Sequence, residues 1–184
     1  MSTRASLAAV LFAGAFLATS AHAQVRYVNA ARPSDGGGTS WADAYKSLAN
    51  ALTAAGTYTE VWVAAGTYTP AASNRSATFT LRNNTAILGG FDGTETSSAQ
   101  RDPAAHTTTL SGDLLGDDTV GSGNRTDNSY HVVTASNTNA SANLDGFTIR
   151  SGSSLQFIIP NPGVPGPSLY SVNGSPSISR AWSR

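Results

Sequence analysis

The chain has 184 residues, with 11 basic and 11 acidic side chains and no cysteine. Only 12% of it is charged and no basic stripe runs along it, which argues against nucleic-acid binding. The absence of cysteine excludes thiol catalysis, zinc–thiolate sites and disulfides, so stability must come from packing and hydrogen bonding.

Residues 1–23 read as an export signal. Arg4 supplies a short positive start, Leu7 to Ala18 is an apolar run, and Ala21-His22-Ala23 is the small-x-small pattern that signal peptidase reads. The run is shorter than the roughly 20 residues a bilayer span needs. The expected mature chain begins at Gln24 and, with Arg4 removed, carries a net charge of −1. Nothing after the signal is long and apolar enough to span a membrane, so the expected location is extracellular or on the cell surface.

Lys46 is the one lysine, and Glu60 and Glu95 are the only glutamates, so long helices should be scarce. The pattern predicts one helix. Ser40 and Asp43 form a capping box, Trp41, Tyr45, Leu48, Leu52 and Ala55 recur along one face, and Gly56 ends it.

Short strands are expected after it. Glu60 to Ala64 is the first, closed by Gly66. Ala77 to Leu81 and Thr85 to Leu88 follow, and Gly89-Gly90 breaks the latter. Thr108 to Leu110, Tyr130 to Ala135 and Asn143 to Arg150 complete the series. The strand centres Ile87, Leu110 and Val132 lie 23 and 22 residues apart, a spacing that points to a solenoid of stacked coils. The alternative is a β-sandwich with more closely spaced strands.

The stretches YVNAARPSDGGGTSWADAYKSLANAL, VWVAAGTYTP, ILGGFDGTETSSAQRD, TTLSGD, YHVVTA and NLDGFTIRSG carry a resemblance. Together, over Tyr27 to Gly152, they resemble the N-terminal part of secreted bacterial right-handed parallel β-helix proteins. These are of the pectin-lyase-like group, including surface proteins similar to polymorphic outer-membrane proteins. The resemblance implies an all-β right-handed parallel β-helix over residues 24–152, its open end plugged by the first helix. It implies no catalytic residue here, because no family motif matches around Arg150.

The expected tail, 153–184, departs from that pattern. Leu155 to Ile159 leads into Pro160, Pro162, Pro165 and Pro167, and proline cannot donate to a strand ladder. This predicts a truncated member with an irregular or disordered tail, associating with itself through an open C-terminal end. Within the tail, Asn173-Gly174 reads as a turn and Ser177 to Ser179 as a short strand.

The chemistry is sparse. No nucleophile elbow, phosphate-cradling loop or zinc-protease helix motif occurs. The mature chain has two histidines, His106 and His131, best read as surface or satisfied side chains. The metal candidate is the segment GDLLGDDTVGSGNRTD, where Asp113, Asp117 and Asp118 lie close together and Asp127 follows. Hard oxygen ligands at that spacing suit calcium, although Leu115 takes a ligand position of an EF-hand-like loop and no downstream glutamate completes one. The plainer reading, which the sequence favours, is a solvated turn with Asx-type hydrogen bonds. Trp62, out of phase with Val61 and Val63, is the aromatic residue most suited to stack on a sugar.

Two functions remain. One is a non-catalytic secreted scaffold or adhesin-like protein whose partners are polysaccharides or cell-surface components. The other is a fragment of a polysaccharide lyase or glycoside hydrolase, supported by fold resemblance alone. A cleft with clustered aspartate and arginine would favour the second.

Overall fold

The computed structural model describes residues 24–54, 56, 58–118, 124–153, 169–170, 177–179 and 182–183. The export signal and most of the expected tail lie outside them. In chain order the strands are Val25–Val28 (β1), Glu60–Ala64 (β2), Gly66–Tyr68 (β3), Phe79–Thr80 (β4), Thr85–Phe91 (β5) and Thr108–Ser111 (β6). Val133–Thr134 (β7), Ala142–Asp145 (β8), Phe147–Arg150 (β9), Leu169–Tyr170 (β10), Ser177–Ser179 (β11) and Trp182–Ser183 (β12) follow. One α-helix, Leu48–Thr53 (α1), is accompanied by two single-turn 3-10 helices, Trp41–Asp43 and Ser98–Gln100.

The strands form a five-stranded sheet in the order β1-β2-β5-β8-β11, a four-stranded sheet β12-β9-β6-β3 and a three-stranded sheet β10-β7-β4. The expected right-handed parallel β-helix is thereby corrected: the sheets are small and separate, and no closed coil stack is described. The 23- and 22-residue steps do not relate equivalent positions of successive coils. Ile87 is in β5, Leu110 is in β6 of another sheet, and Val132 precedes β7 of the third. The strand partners of Ile87 are instead Val61 and Leu144, 26 and 57 residues away, so no constant repeat relates these described strands.

The alternation along β2 explains how the sheet is seated. Val61 and Val63 are fully buried in a core that also takes Phe79, Leu110 and Phe147 from the other two sheets. Trp62 points the opposite way, into a second cluster with Leu88 and Phe91. Buried apolar surface of this kind is the main favourable contribution to folding, about 25 cal/mol per Å².

The helix also departs from expectation, because the predicted span breaks in the middle. Ser40 caps only the first 3-10 turn, accepting from the Asp43 amide at 3.2 Å. Tyr45 then pairs in parallel with Val28, its N–H donating to the Tyr27 carbonyl and its carbonyl accepting from the Asn29 amide. Backbone committed to an extended pairing cannot also be helical, so α1 starts afresh with Ser47 as its own cap. Leu48, Ala51 and Leu52 are buried, whereas Trp41 and Tyr45 are only half-buried. The helix closes on Ala54, not on Gly56.

Two glycine readings are corrected. Gly89-Gly90 does not end a strand, since β5 runs through both. Gly146, at φ +84°, splits the predicted Asn143–Arg150 strand into β8 and β9. A Cβ on Gly89 would lie 2.5 Å from the Gly146 carbonyl oxygen, so glycine lets these backbones meet.

Candidate metal centre

β6 delivers the chain into the acidic segment, whose two ends are fixed. The Gly112 amide donates to the Arg150 carbonyl at 2.9 Å, and the Ser129 amide donates to the Gly112 carbonyl at 2.8 Å. Between these anchors Asp113 organises the turn. Its Oδ1 accepts from the Gly116 amide at 2.7 Å and the Asp117 amide at 3.1 Å, and its Oδ2 accepts from the Asp118 amide at 3.2 Å. Gly116 supplies the left-handed backbone, φ +74°, that lets the chain double back over the carboxylate. These are the Asx-type bonds that the plainer reading expects at this turn.

Asp127 comes back against the turn, its Oδ2 accepting from the Leu115 amide at 3.0 Å. One carboxylate oxygen from each of Asp113, Asp117 and Asp127 then lies within 4.8 Å of the other two. Leu115 itself is 66% exposed, so it offers a backbone N–H to the loop and no ligand. Asp118 faces elsewhere: its Oδ2 accepts from the Asn128 amide nitrogen at 2.9 Å. The sequence expectation of Asp113, Asp117 and Asp118 thus meets a spatial cluster of Asp113, Asp117 and Asp127. The clue was the return of the chain at Asn128-Ser129, which spacing along the sequence does not reveal.

The electrostatics of this loop are unbalanced. Among the described residues none of its four aspartates forms an ion pair. Two like charges 4 Å apart repel by about 1 kcal/mol in water and about 4 kcal/mol at an effective dielectric of 20. Asp118 Oδ1, Asp127 Oδ1, Asn128 Oδ1 and Ser129 Oγ are buried without a hydrogen-bond partner. Buried acceptors in native proteins are nearly always paired, so four together mark this loop out.

The other candidates are occupied structurally. Trp62 is 4% exposed and stacks on Phe91 with ring centroids 4.9 Å apart, so its face is not presented to a sugar. The Glu95 carboxylate binds backbone amides within its own turn. His106 and His131 join no metal-ligating group among the described residues, and burial lowers the His131 pKa. Arg150 lies exposed at the end of β9. The Arg101–Asp145 ion pair, missed from sequence, joins the end of the second 3-10 helix to β8, and Arg101 also donates to the Gly89 carbonyl. No protein-family model, curated protein or solved structure matches the chain, and nothing in those comparisons identifies a pectin-lyase-like protein.

Proposed function

We propose that the protein is a non-catalytic scaffold, adhesin-like in type, acting outside the cell or on its surface on polysaccharides or other surface components. The observation that supports this reading is how the polar side chains are used. Glu95 and Asp113 accept from backbone amides, Arg26 donates to the Ala51 and Ala54 carbonyls, and Arg101 is held by the Gly89 carbonyl and the Asp145 carboxylate, all within their own fold. A hydrolase or lyase needs instead a carboxylate or arginine poised toward substrate, with glycosidase pairs about 5–9.5 Å apart. The signal-like start at Arg4 to Ala23 supports export.

The test is direct. Secreted protein, expected to begin at Gln24, is incubated with a panel of acidic and neutral polysaccharides. Retention on immobilised polysaccharide or on cells, with no new reducing ends and no unsaturated products, is the expected result. Release of unsaturated uronides would replace this reading with the lyase one.

A further inference from the structure

We propose that the groove beside β1 and β2 binds a neutral polysaccharide strand, with Glu60 and Tyr27 as its hydrogen-bonding contacts. The inference rests on the polysaccharide-binding reading above and adds the place and the kind of sugar. Parallel pairing sets Val25 against Glu60 and Tyr27 against Trp62. Alternate residues of a strand share a face, so these four side chains lie together, on the face opposite the Val61 and Val63 core. Thr39 and the turn at residues 96–98 flank them, leaving a groove of about 450 Å³. Ligand sites span about 300–1,000 Å³.

The polar groups of the groove are incompletely used by the fold. Glu60 is half-buried, and its Oε2 accepts from Trp62 Nε1 at 2.5 Å. That bond fixes the carboxylate and leaves Oε1 with no hydrogen-bond partner among the described residues. Glu60 also has no ion-pair partner among them. The hydroxyls of Tyr27 and Ser98, both in the lining, likewise make no hydrogen bond among the described residues. Tyr27 is half-buried and braced edge-on by Trp41 and Trp62, with ring centroids 4.9 and 5.5 Å away, so its ring is held in place before any ligand arrives. Glu95 shows the contrast: a carboxylate with a purely structural task spends its oxygens on nearby amides.

The chemistry of the lining selects the ligand. An ionised carboxylate accepts from sugar hydroxyls in charge-assisted bonds, which are shorter and stronger than neutral ones. The Tyr27 and Ser98 hydroxyls can each donate and accept, which matches the hydroxyls of a sugar. Tyr27 and Val25 add apolar surface for its C–H groups. Trp62 gives its N–H to Glu60 and no stacking face, since its ring lies on Phe91. No lysine, arginine or histidine lines the groove, so nothing there offsets the charge of a uronate, and Glu60 repels it. The ligand is therefore an uncharged hexose or pentose polymer.

The experiment is a titration of tryptophan fluorescence in the full secreted chain, because Trp62 lines the groove and Trp41 packs beside it. The probes are cellohexaose, mannohexaose and xylohexaose, beside hexameric galacturonate and hexameric glucosamine. A saturable change with at least one neutral probe is expected, with galacturonate at least about tenfold weaker. Glu60→Gln keeps an acceptor for Trp62 and should weaken the neutral probe about tenfold, by turning a charge-assisted bond into a neutral one. Tyr27→Phe should weaken it about threefold through the lost hydroxyl. Arg82→Gln, exposed and outside the groove, should leave it unchanged. Both groove variants are near-isosteric, and if one fails to fold the other carries the test. Unaltered binding by both, preference for the galacturonate or glucosamine hexamer, or no response to any probe would overturn the proposal. Retention of Glu60→Gln on immobilised polysaccharide, undiminished from wild type, would also overturn it while leaving the scaffold reading standing. Unsaturated products or new reducing ends in the same samples would instead overturn the scaffold reading.

Discussion

Two acidic turns in this molecule look alike in sequence and differ in their bonding. In the turn from Asp92 to Glu95, the Glu95 carboxylate accepts from the amides of Asp92 at 2.6 Å and of Gly93 and Thr94 at 3.0 Å. Asp92 Oδ1 takes the Thr94 amide at 2.8 Å and the Thr94 hydroxyl at 2.6 Å. Its acceptors are matched to local donors, and the turn is a finished structural unit. In the loop from Asp113 to Ser129, Asp113 is matched in the same way, but oxygens of Asp118, Asp127 and Asn128 are buried unmatched. Acidic residues close in sequence are therefore no guide to a ligand site; the count of donors facing them is.

The largest effect that sharpens this contrast is expected at Glu95. Glu95→Ala strips the acceptor from the Asp92 and Gly93 amides, while the Thr94 amide keeps Asp92 Oδ1, and should cost about 3 kcal/mol in urea unfolding. The loss should be equal in calcium and in chelator; a loss that calcium reverses would erase the distinction between the turns. Next is Asp113→Asn, measured in chelator. An amide cannot accept at both ends, so the Asp118 amide or the Gly116–Asp117 pair loses its partner, at about 2 kcal/mol.

Smaller again is the effect of calcium on the wild-type chain. If the loop holds calcium as the sequence expectation has it, free calcium at ten times its dissociation constant should stabilise by about 1.4 kcal/mol through mass action, seen as a raised unfolding midpoint. Asp127→Asn should lose most of that increment, and Glu95→Ala should keep it. The smallest effect lies in titration. The Thr94 hydroxyl, acting against a small burial penalty and aided by the Thr94 amide, holds the Asp92 pKa below the ordinary 3.8. A lowered folded-state pKa means that its stabilisation is present above the unfolded value and is lost as pH falls below it. Carboxyl chemical shifts followed against pH should show Asp92 titrating below an unfolded-peptide reference; a normal midpoint would contradict the matched turn.

Parts of this arrangement were legible in the sequence. Glu60–Ala64 is β2 as predicted, because a short run of valines around Trp62, bounded by Gly66, reads as a strand whether one face is buried or both. Ser177–Ser179 is β11, where the sequence marked a short strand. The helix was read as one because its apolar spacing is continuous, and nothing local reveals that Tyr45 is claimed by the edge of β1. Gly89-Gly90 was read as a break because glycine weakens strands in isolation, whereas here it admits the Gly146 backbone. The repeat was misjudged for a related reason: parallel pairing joins residues through long connections, and the spacing of strand centres mixes positions from different sheets. In the candidate cluster Asp113 and Asp117 were legible and Asp127 was not chosen, because its approach depends on hydrogen bonds from Ser129 and Leu115 across the loop.

The unequal connections carry a consequence for the order of assembly. β2 and β5 pair residues 26 apart, while β5 and β8 pair residues 57 apart. Loop-closure entropy rises by about 0.6 kcal/mol per doubling of length, so the second pairing is dearer by roughly 0.7 kcal/mol before any contact rewards it. The β2–β5 register is accordingly the easier to nucleate, and pairings of such long range are slow to form. The acidic loop lies wholly within the longer excursion, and its anchor from the Gly112 amide to the Arg150 carbonyl forms only once β9 is in place. A time-resolved probe of that loop would lag behind one placed on Trp62, whose ring reports the earlier junction.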